Sequence, residues 1–255
     1  MRNGRLLSLY AVVAYSLLHV PLVVLSVFSF NASRTTRWEG FTLDWYRAAF
    51  QDSQLLEGTA NSLWIAVAAT VLSTVIGTLC SYGLWKRGSG WISGSLYLSM
   101  VTPEVVMGVA LLALFQWMFR FLHLQLGMHT VILAHVMFSI AYVVTVVSAR
   151  LRTFDATLEE AAMDLGATEW QAFLRVTLPQ LWPAIVSAGL LAFITSFDDY
   201  VITSLVAGVD SETLPMVIYA MARKGFSPAI NAVSTLIVMS LGFLILISDR
   251  LERRS

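Results

Sequence analysis

Residues 157–183 read TLEEAAMDLGATEWQAFLRVTLPQLWP, from Thr157 to Pro183. The stretch is a polar interruption in an otherwise apolar chain, and its spacing predicts two short helices split by a glycine. Thr157 opens a capping box, T-L-E-E, in which Glu160 returns to the cap. Leu158, Ala161, Ala162 and Leu165 then share one face at i, i+3, i+4 and i+7. Gly166 suits the left-handed position that ends such a helix. Thr168 opens a second box, T-E-W-Q, answered by Gln171, and Trp170, Phe173, Leu174 and Leu178 form a second apolar stripe. Pro179 and Pro183 steer the chain into the next hydrophobic run.

The first helix spans about two turns, and isolated helices under about 12–15 residues are marginal in water. Two arrangements would hold it. It lies back on its own bundle as an ordinary amphipathic loop helix, or its small face, with Ala161 and Ala162 adjacent, enters a groove on a partner.

On either side the chain is built for a bilayer. It is 57% hydrophobic and 13% charged, with mean hydropathy +0.73, against roughly 25% charged residues in soluble domains. Six apolar runs approach the length of about 20 residues that a span requires. They cover roughly 6–30, 61–85, 95–121, 130–149, 184–207 and 229–247. The reading is an all-α membrane protein with six transmembrane helices in a single domain over 1–255. The first run follows Arg2 and Arg5, but its apolar core exceeds the 7–15 residues of a signal peptide and no small-x-small site follows, so it reads as a helix. Between the first two runs, Trp38, Trp45 and Tyr46 suit a membrane interface, and residues 42–46 suggest a short helix there.

Basic residues set an orientation. With the amino terminus inside, Arg2, Arg5, Lys86, Arg87, Arg150, Arg152, Arg175, Arg250, Arg253 and Arg254 fall on the cytoplasmic side. Arg34, Arg37, Arg47, Arg120, Arg223 and Lys224 fall outside. Both termini and the Thr157 stretch are then cytoplasmic. A net charge of zero gives no bulk attraction to nucleic acid. Cys80 is alone, so no disulfide forms within the chain, and His19, His123, His129 and His135 have no metal-ligand spacing and read as structural or interfacial. The sequon Asn31-Ala32-Ser33 is assigned no role.

Acids inside apolar runs are costly and tend to be functional, at about 2.5–3.5 kcal/mol for Asp at a helix centre. Glu104 follows Pro103 within the third run, where the missing amide predicts a kink. Asp198 and Asp199 sit in the outer half of the fifth. Both runs lead outward, which lets their polar sites face one another across a pathway. Such carboxylates either bind a cation or close helix ends and bond Ser196 or Thr203.

Glu160-Ala161-Ala162, Gly166-Ala167 and Val176-Thr177-Leu178-Pro179 together resemble the EAA loop of ABC importer permeases, with Val176 where isoleucine is usual. The resemblance implies the type I ABC importer permease fold. It makes Glu160, Ala161, Ala162, Asp164, Leu165, Gly166 and Ala167 a cytoplasmic coupling helix docked on an ATPase. A second resemblance reaches across nearly the whole chain. Residues 196–202 (SFDDYVI), 214–219 (LPMVIY) and 227–232 (SPAINA) are similar to the spermidine/putrescine permeases of the second-subunit type. Phe197 stands where those often carry leucine or methionine, and Glu104 where aspartate is common. This implies a polyamine pathway that includes Glu104, Asp198, Asp199 and Tyr200. It also implies a bacterial inner-membrane complex with an ATPase dimer, a second, related permease and an extracytoplasmic substrate-binding protein, which would dock near the amphipathic stretch 214–225.

A P-loop needs G-K-[ST], and neither Lys86 nor Lys224 follows a glycine. No H-E-x-x-H, G-x-S-x-G or C-x-x-C occurs. The expectation is a transport subunit and not an enzyme, with no cofactor of its own, ATP and Mg being bound by the partner ATPases. The alternatives are a permease for another small solute, or a self-sufficient secondary transporter or channel using Glu104 and Asp198 as relay sites.

Overall fold

A computed structural model describes residues 2–33, 37–122, 124–225 and 228–252. His123, Arg34, Ser227, Arg253 and Arg254, singled out above, lie outside the described residues. The described chain is helical apart from loops and one antiparallel bridge, Asn31 with Phe41. In order come α1 (Arg2–Phe28), α2 (Asp44–Gln51), α3 (Ser53–Arg87), α4 (Gly90–Val101), α5 (Glu104–Leu122) and α6 (Met128–Leu151). There follow α7 (Thr157–Asp164), α8 (Glu169–Ala172), a π-helical turn (Phe173–Thr177), α9 (Leu178–Phe197), α10 (Val201–Val206), α11 (Leu214–Arg223) and α12 (Pro228–Glu252).

Five helical stretches among the described residues are long and apolar enough to cross a membrane: Leu6–Phe28, Ser53–Arg87, Glu104–Phe121, Met128–Leu151 and Glu169–Phe197. The third expected span is not continuous. Pro103 has no amide to donate and disfavours helical backbone at Thr102, whose ψ of 128° is extended, so α4 ends at Val101 and α5 begins at Glu104. The fifth expected span also differs. Its helix starts earlier, at Leu178, is interrupted at residues 198–200, and resumes as the short α10. Where a sixth span is expected, α12 is helical throughout, with an apolar stretch over Pro228–Ser240.

The chain clusters into two compact units, Met1–Glu57 with Val217–Asp249 and Gly58–Met216 with Arg250–Ser255. In the first, the expected helix after α1 is α2. Trp45 and Tyr46 fasten it to the end of α1: Trp45 Nε1 donates to Asn31 O at 2.8 Å, and Tyr46 Oη shares a hydrogen bond of 2.6 Å with Ser29 Oγ. In the second, α6 is the central pillar, with 61% of its most apolar window buried. Its amino-terminal half packs Val131, Ala134 and Phe138 with Leu111 and Phe115 of α5 and Ile202 and Val206 of α10. Its carboxy-terminal half packs Val143, Val147 and Leu151 with Leu181, Ile185, Ala188 and Ala192 of α9. Thr130 Oγ1 donates to Val206 O at 2.7 Å, pinning the far end of α10 to α6.

Candidate functional site

The two helix breaks meet. Residues 102–104 and 198–200 line one cavity of about 530 Å³, with Ser99, Met100, Met107, Phe138, Tyr142, Thr195, Val201 and Ile202. All four acids and aromatics expected on a pathway, Glu104, Asp198, Asp199 and Tyr200, are among its walls. Interrupted helices are tolerated at membrane depth where they line such a space.

The acids are not equivalent. Glu104, at the first turn of α5, and Asp198, at the end of α9, are both exposed in the cavity. Asp199 is turned inward, its side chain 7% exposed. Its Oδ2 accepts from Thr203 N at 2.8 Å and Thr203 Oγ1 at 2.6 Å, and Oδ1 accepts from Ile202 N at 3.4 Å. Ile202 N and Thr203 N are orphan amides of the first turn of α10, so Asp199 closes the start of that helix. Beyond it lies His135 of α6, 1% exposed, with Nε2 3.5 Å from Asp199 Oδ2 and 3.0 Å from Thr203 Oγ1. Its Nδ1 is 2.7 Å from Ser196 Oγ. His135 thus ties α6, α9 and α10 together behind the cavity wall. The structural reading of the histidines holds for it, but its place beside Asp199 had no signal in the sequence.

The loop after α6 departs from expectation at its first residue. Thr157 is not the cap. Asp155 Oδ1 accepts from Thr157 N at 3.0 Å and Thr157 Oγ1 at 2.8 Å, and these bonds hold the Asp155 carboxyl below its usual range. The helix already begins at Thr157, and the amide that a Thr157 cap would take, Glu160 N, donates instead to Ala156 O at 3.1 Å. The second box forms as expected: Gln171 N donates to Thr168 Oγ1 at 3.3 Å and Thr168 N to Gln171 Oε1 at 3.0 Å. Gly166 has φ +93°, with Gly166 N donating to Met163 O and Ala167 N to Ala162 O, the paired closure of a helix ending on a left-handed glycine.

The expected apolar face of α7 points away from the chain. Leu158 is 43% exposed and Leu165 90%, and Glu160, Ala161 and Asp164 are exposed, with Ala162 and Ala167 half-buried. What anchors α7 is its neighbour Glu159, 1% exposed. Its Oε1 accepts from Tyr82 Oη at 2.6 Å and lies 2.7 Å from Lys86 Nζ, both on α3. Its Oε2 accepts from Thr177 Oγ1 at 2.9 Å, at the end of the π-helical turn. Burial alone raises its carboxyl. The bonds from Lys86, Tyr82 and Thr177, with the Lys86 charge, outweigh that and hold it below the usual carboxylate range. Aromatic rings flank the pair: Phe173 lies tilted against Tyr82 with centroids 4.4 Å apart, and the Lys86 ammonium lies 5.2 Å from the Trp85 ring. Among the described residues, no group of three or more His, Cys, Asp or Glu side chains is placed to hold a metal.

Residues 73–254 match the family model described as binding-protein-dependent transport system inner membrane component. The chain belongs to this family. It is 37% identical over its whole length, and over 94% of the relative, to the spermidine/putrescine transport system permease protein PotC of Escherichia coli K12. It is 40% identical to the putrescine transport system permease protein PotI of the same organism, over 89% of this chain and 84% of that one. Among solved structures, a bacterial alginate ABC transporter in complex with alginate pentasaccharide-bound periplasmic protein superposes with TM-score 0.76 at 17% identity, covering 99% of this chain and 95% of that one. A second, an amino acid ABC transporter, gives 0.60 at 22% identity over 84% and 100%. These share the fold. By its family, the permease is a multi-pass membrane component of a transport system and not an enzyme.

Proposed function

We propose that this permease forms half of the translocation pathway of an ATP-driven polyamine importer, with Glu104 and Asp198 as the groups that receive the cationic substrate. The observation that carries the reading is the cavity between the two helix breaks, where both carboxylates stand exposed. Each offers charge-assisted hydrogen bonds to an ammonium group. Phe138, Tyr142 and Tyr200 supply faces for cation–π contact, while Met100 and Met107 suit the methylene spacer of a polyamine. Asp199, held by Thr203 and His135, shapes the wall. The polyamine names of the relatives agree with this chemistry.

In this reading the chain acts as one six-span module in the bacterial inner membrane, both termini cytoplasmic, paired with a related permease. The outward face of α7 and its turn, with Glu160, Ala161, Asp164, Leu165 and Gly166 exposed and Ala162 and Ala167 half-buried, docks on an ATPase dimer that binds ATP and Mg. Closure of the dimer drives the bundle between inward- and outward-facing packings. An outer binding protein delivers the substrate near α11.

The test is uptake of labelled putrescine and spermidine by the assembled complex in proteoliposomes. Glu104→Gln and Asp198→Asn are each expected to lower uptake about tenfold or more, the worth of one charged hydrogen bond. Unchanged amine uptake in both, or preferential uptake of an anionic solute, overturns the reading.

A further inference from the structure

Glu159 has no route to a docked partner, because its carboxylate is 1% exposed and lies on the face of α7 turned toward the bundle. A buried carboxylate is a costly way to pack a helix, and an apolar residue of similar size would hold α7 at least as well. What the carboxylate adds is direction. Its donors come from two other segments, Tyr82 and Lys86 on α3 and Thr177 on the π-helical turn that leads into α9. Along the chain, α7 leads to α9 through α8 and that turn. The turn itself is wide and of the kind that concentrates at functional positions.

We propose that Glu159 is a positioning residue that fastens the coupling helix to α3 and to the base of α9 at once, so that a displacement of α7 carries both helices as one lever. The proposal rests on the coupling reading of α7. The lever has a geometrical outlet. The far end of α9 is Phe197, next to Asp198 and the cavity, and Ser196 there meets His135 of α6. Along the way α3 and α9 lie close, with Gly189 of α9 leaving room for Thr74 and Thr70 of α3. Without the clasp, α7 still presents its outer face to the ATPase, but its movement is absorbed in the loop.

The experiment measures ATP hydrolysis and amine uptake side by side in the reconstituted full complex, with the binding protein present. Glu159→Gln is expected to keep the ATPase bound and hydrolysing, while amine delivered per ATP falls about tenfold, a coupling loss of ordinary size. Tyr82→Phe combined with Thr177→Val tests the same clasp without touching the carboxylate, should Glu159→Gln fail to fold. Glu159→Lys with Lys86→Glu re-forms the pair reversed and is expected to recover part of the ratio. A wild-type ratio in these variants overturns the proposal. So does a parallel loss of hydrolysis and uptake with release of the ATPase, which marks a purely structural role. Leu165→Arg separates the two readings. If it leaves ATPase binding and uptake intact, the coupling reading itself fails. If it releases the ATPase while Glu159→Gln keeps the wild-type ratio, only the clasp falls.

Discussion

Asp198 and Asp199 are adjacent in sequence and opposite in use. Asp198 faces the cavity, whereas Asp199 is spent on the amides of α10 and on Thr203 and His135. Asp198→Asn is therefore expected to cut amine uptake and leave the melting temperature of the detergent-purified protein unchanged. Asp199→Ala is expected to cost about 1–3 kcal/mol, the usual penalty for stripping a buried hydrogen-bonded group of its partner, read as a lowered melting temperature. At Glu159 the signs run with pH. Its folded carboxyl titrates below the ordinary value of about 4.3, so its contribution is complete above that value and is lost as pH falls through the lowered one. The stability gap between wild type and Glu159→Gln should stay constant near neutral pH and close below about pH 4. Lys86→Met should cost more, about 3–5 kcal/mol, because it strands a buried carboxylate, whereas Lys86 itself is 25% exposed and finds water when Glu159 is neutralised. The sequence pointed to Glu160 and passed over Glu159. Neighbours on a helix differ by about 100° in direction, and only the tertiary partners decide which one is buried. Those partners are Tyr82, 77 residues away, and Thr177, 18 away. His135 was silent for the same reason, its partners being 61 and 68 residues distant.

Among the elements, the helix breaks show what local pattern reveals. Pro103 announces its break through backbone chemistry, so the interruption between α4 and α5 was legible as a perturbation, though a full stop was underestimated as a kink. The break at 198–200 contains neither proline nor glycine, and apolar residues on both sides let the periodicity run through it. It exists because the Asp199 carboxylate satisfies the amides of a new helix. The Gly166 ending and the Thr168 box were readable because their signals lie within a few residues of one another. The π-helical turn had no such signal. Deleting Leu174, which is 42% exposed, is expected to restore ordinary helical winding, turn everything before it by about 100° relative to α9, and pull Thr177 out of register with Glu159. Uptake should vanish in the deletion and persist in Leu174→Ala. Between α3 and α6, a Cβ added at Gly77 would fall 2.6 Å from Val143 Cγ1 and 2.7 Å from Val143 Cβ, and a branched side chain cannot swing clear. Gly77→Ala is expected to part the two helices at a cost of about 1–3 kcal/mol, measured by thermal melting in detergent.

For the molecule as a whole, the deciding question is where the energy enters. The cavity holds charged groups at the breaks of two helices, and loading such a site with a cation from dilute solution and emptying it against a gradient requires two packings of unequal affinity. This chain carries no phosphate-binding loop with which to drive that exchange, since its only lysines are Lys86, engaged by Glu159, and Lys224. Its long α1 is apolar from Leu6 to Phe28, a surface suited to lipid or to a second permease. Both features predict the same dependence. In liposomes the purified chain alone should take up no labelled putrescine or spermidine, with or without ATP. Adding the companion permease and ATPases should give uptake that needs ATP and Mg, and a non-hydrolysable ATP analogue should abolish net accumulation. Spermidine accumulation by the lone chain would place the driving mechanism within this polypeptide, and the exposed face of α7 would then have no transport role to explain.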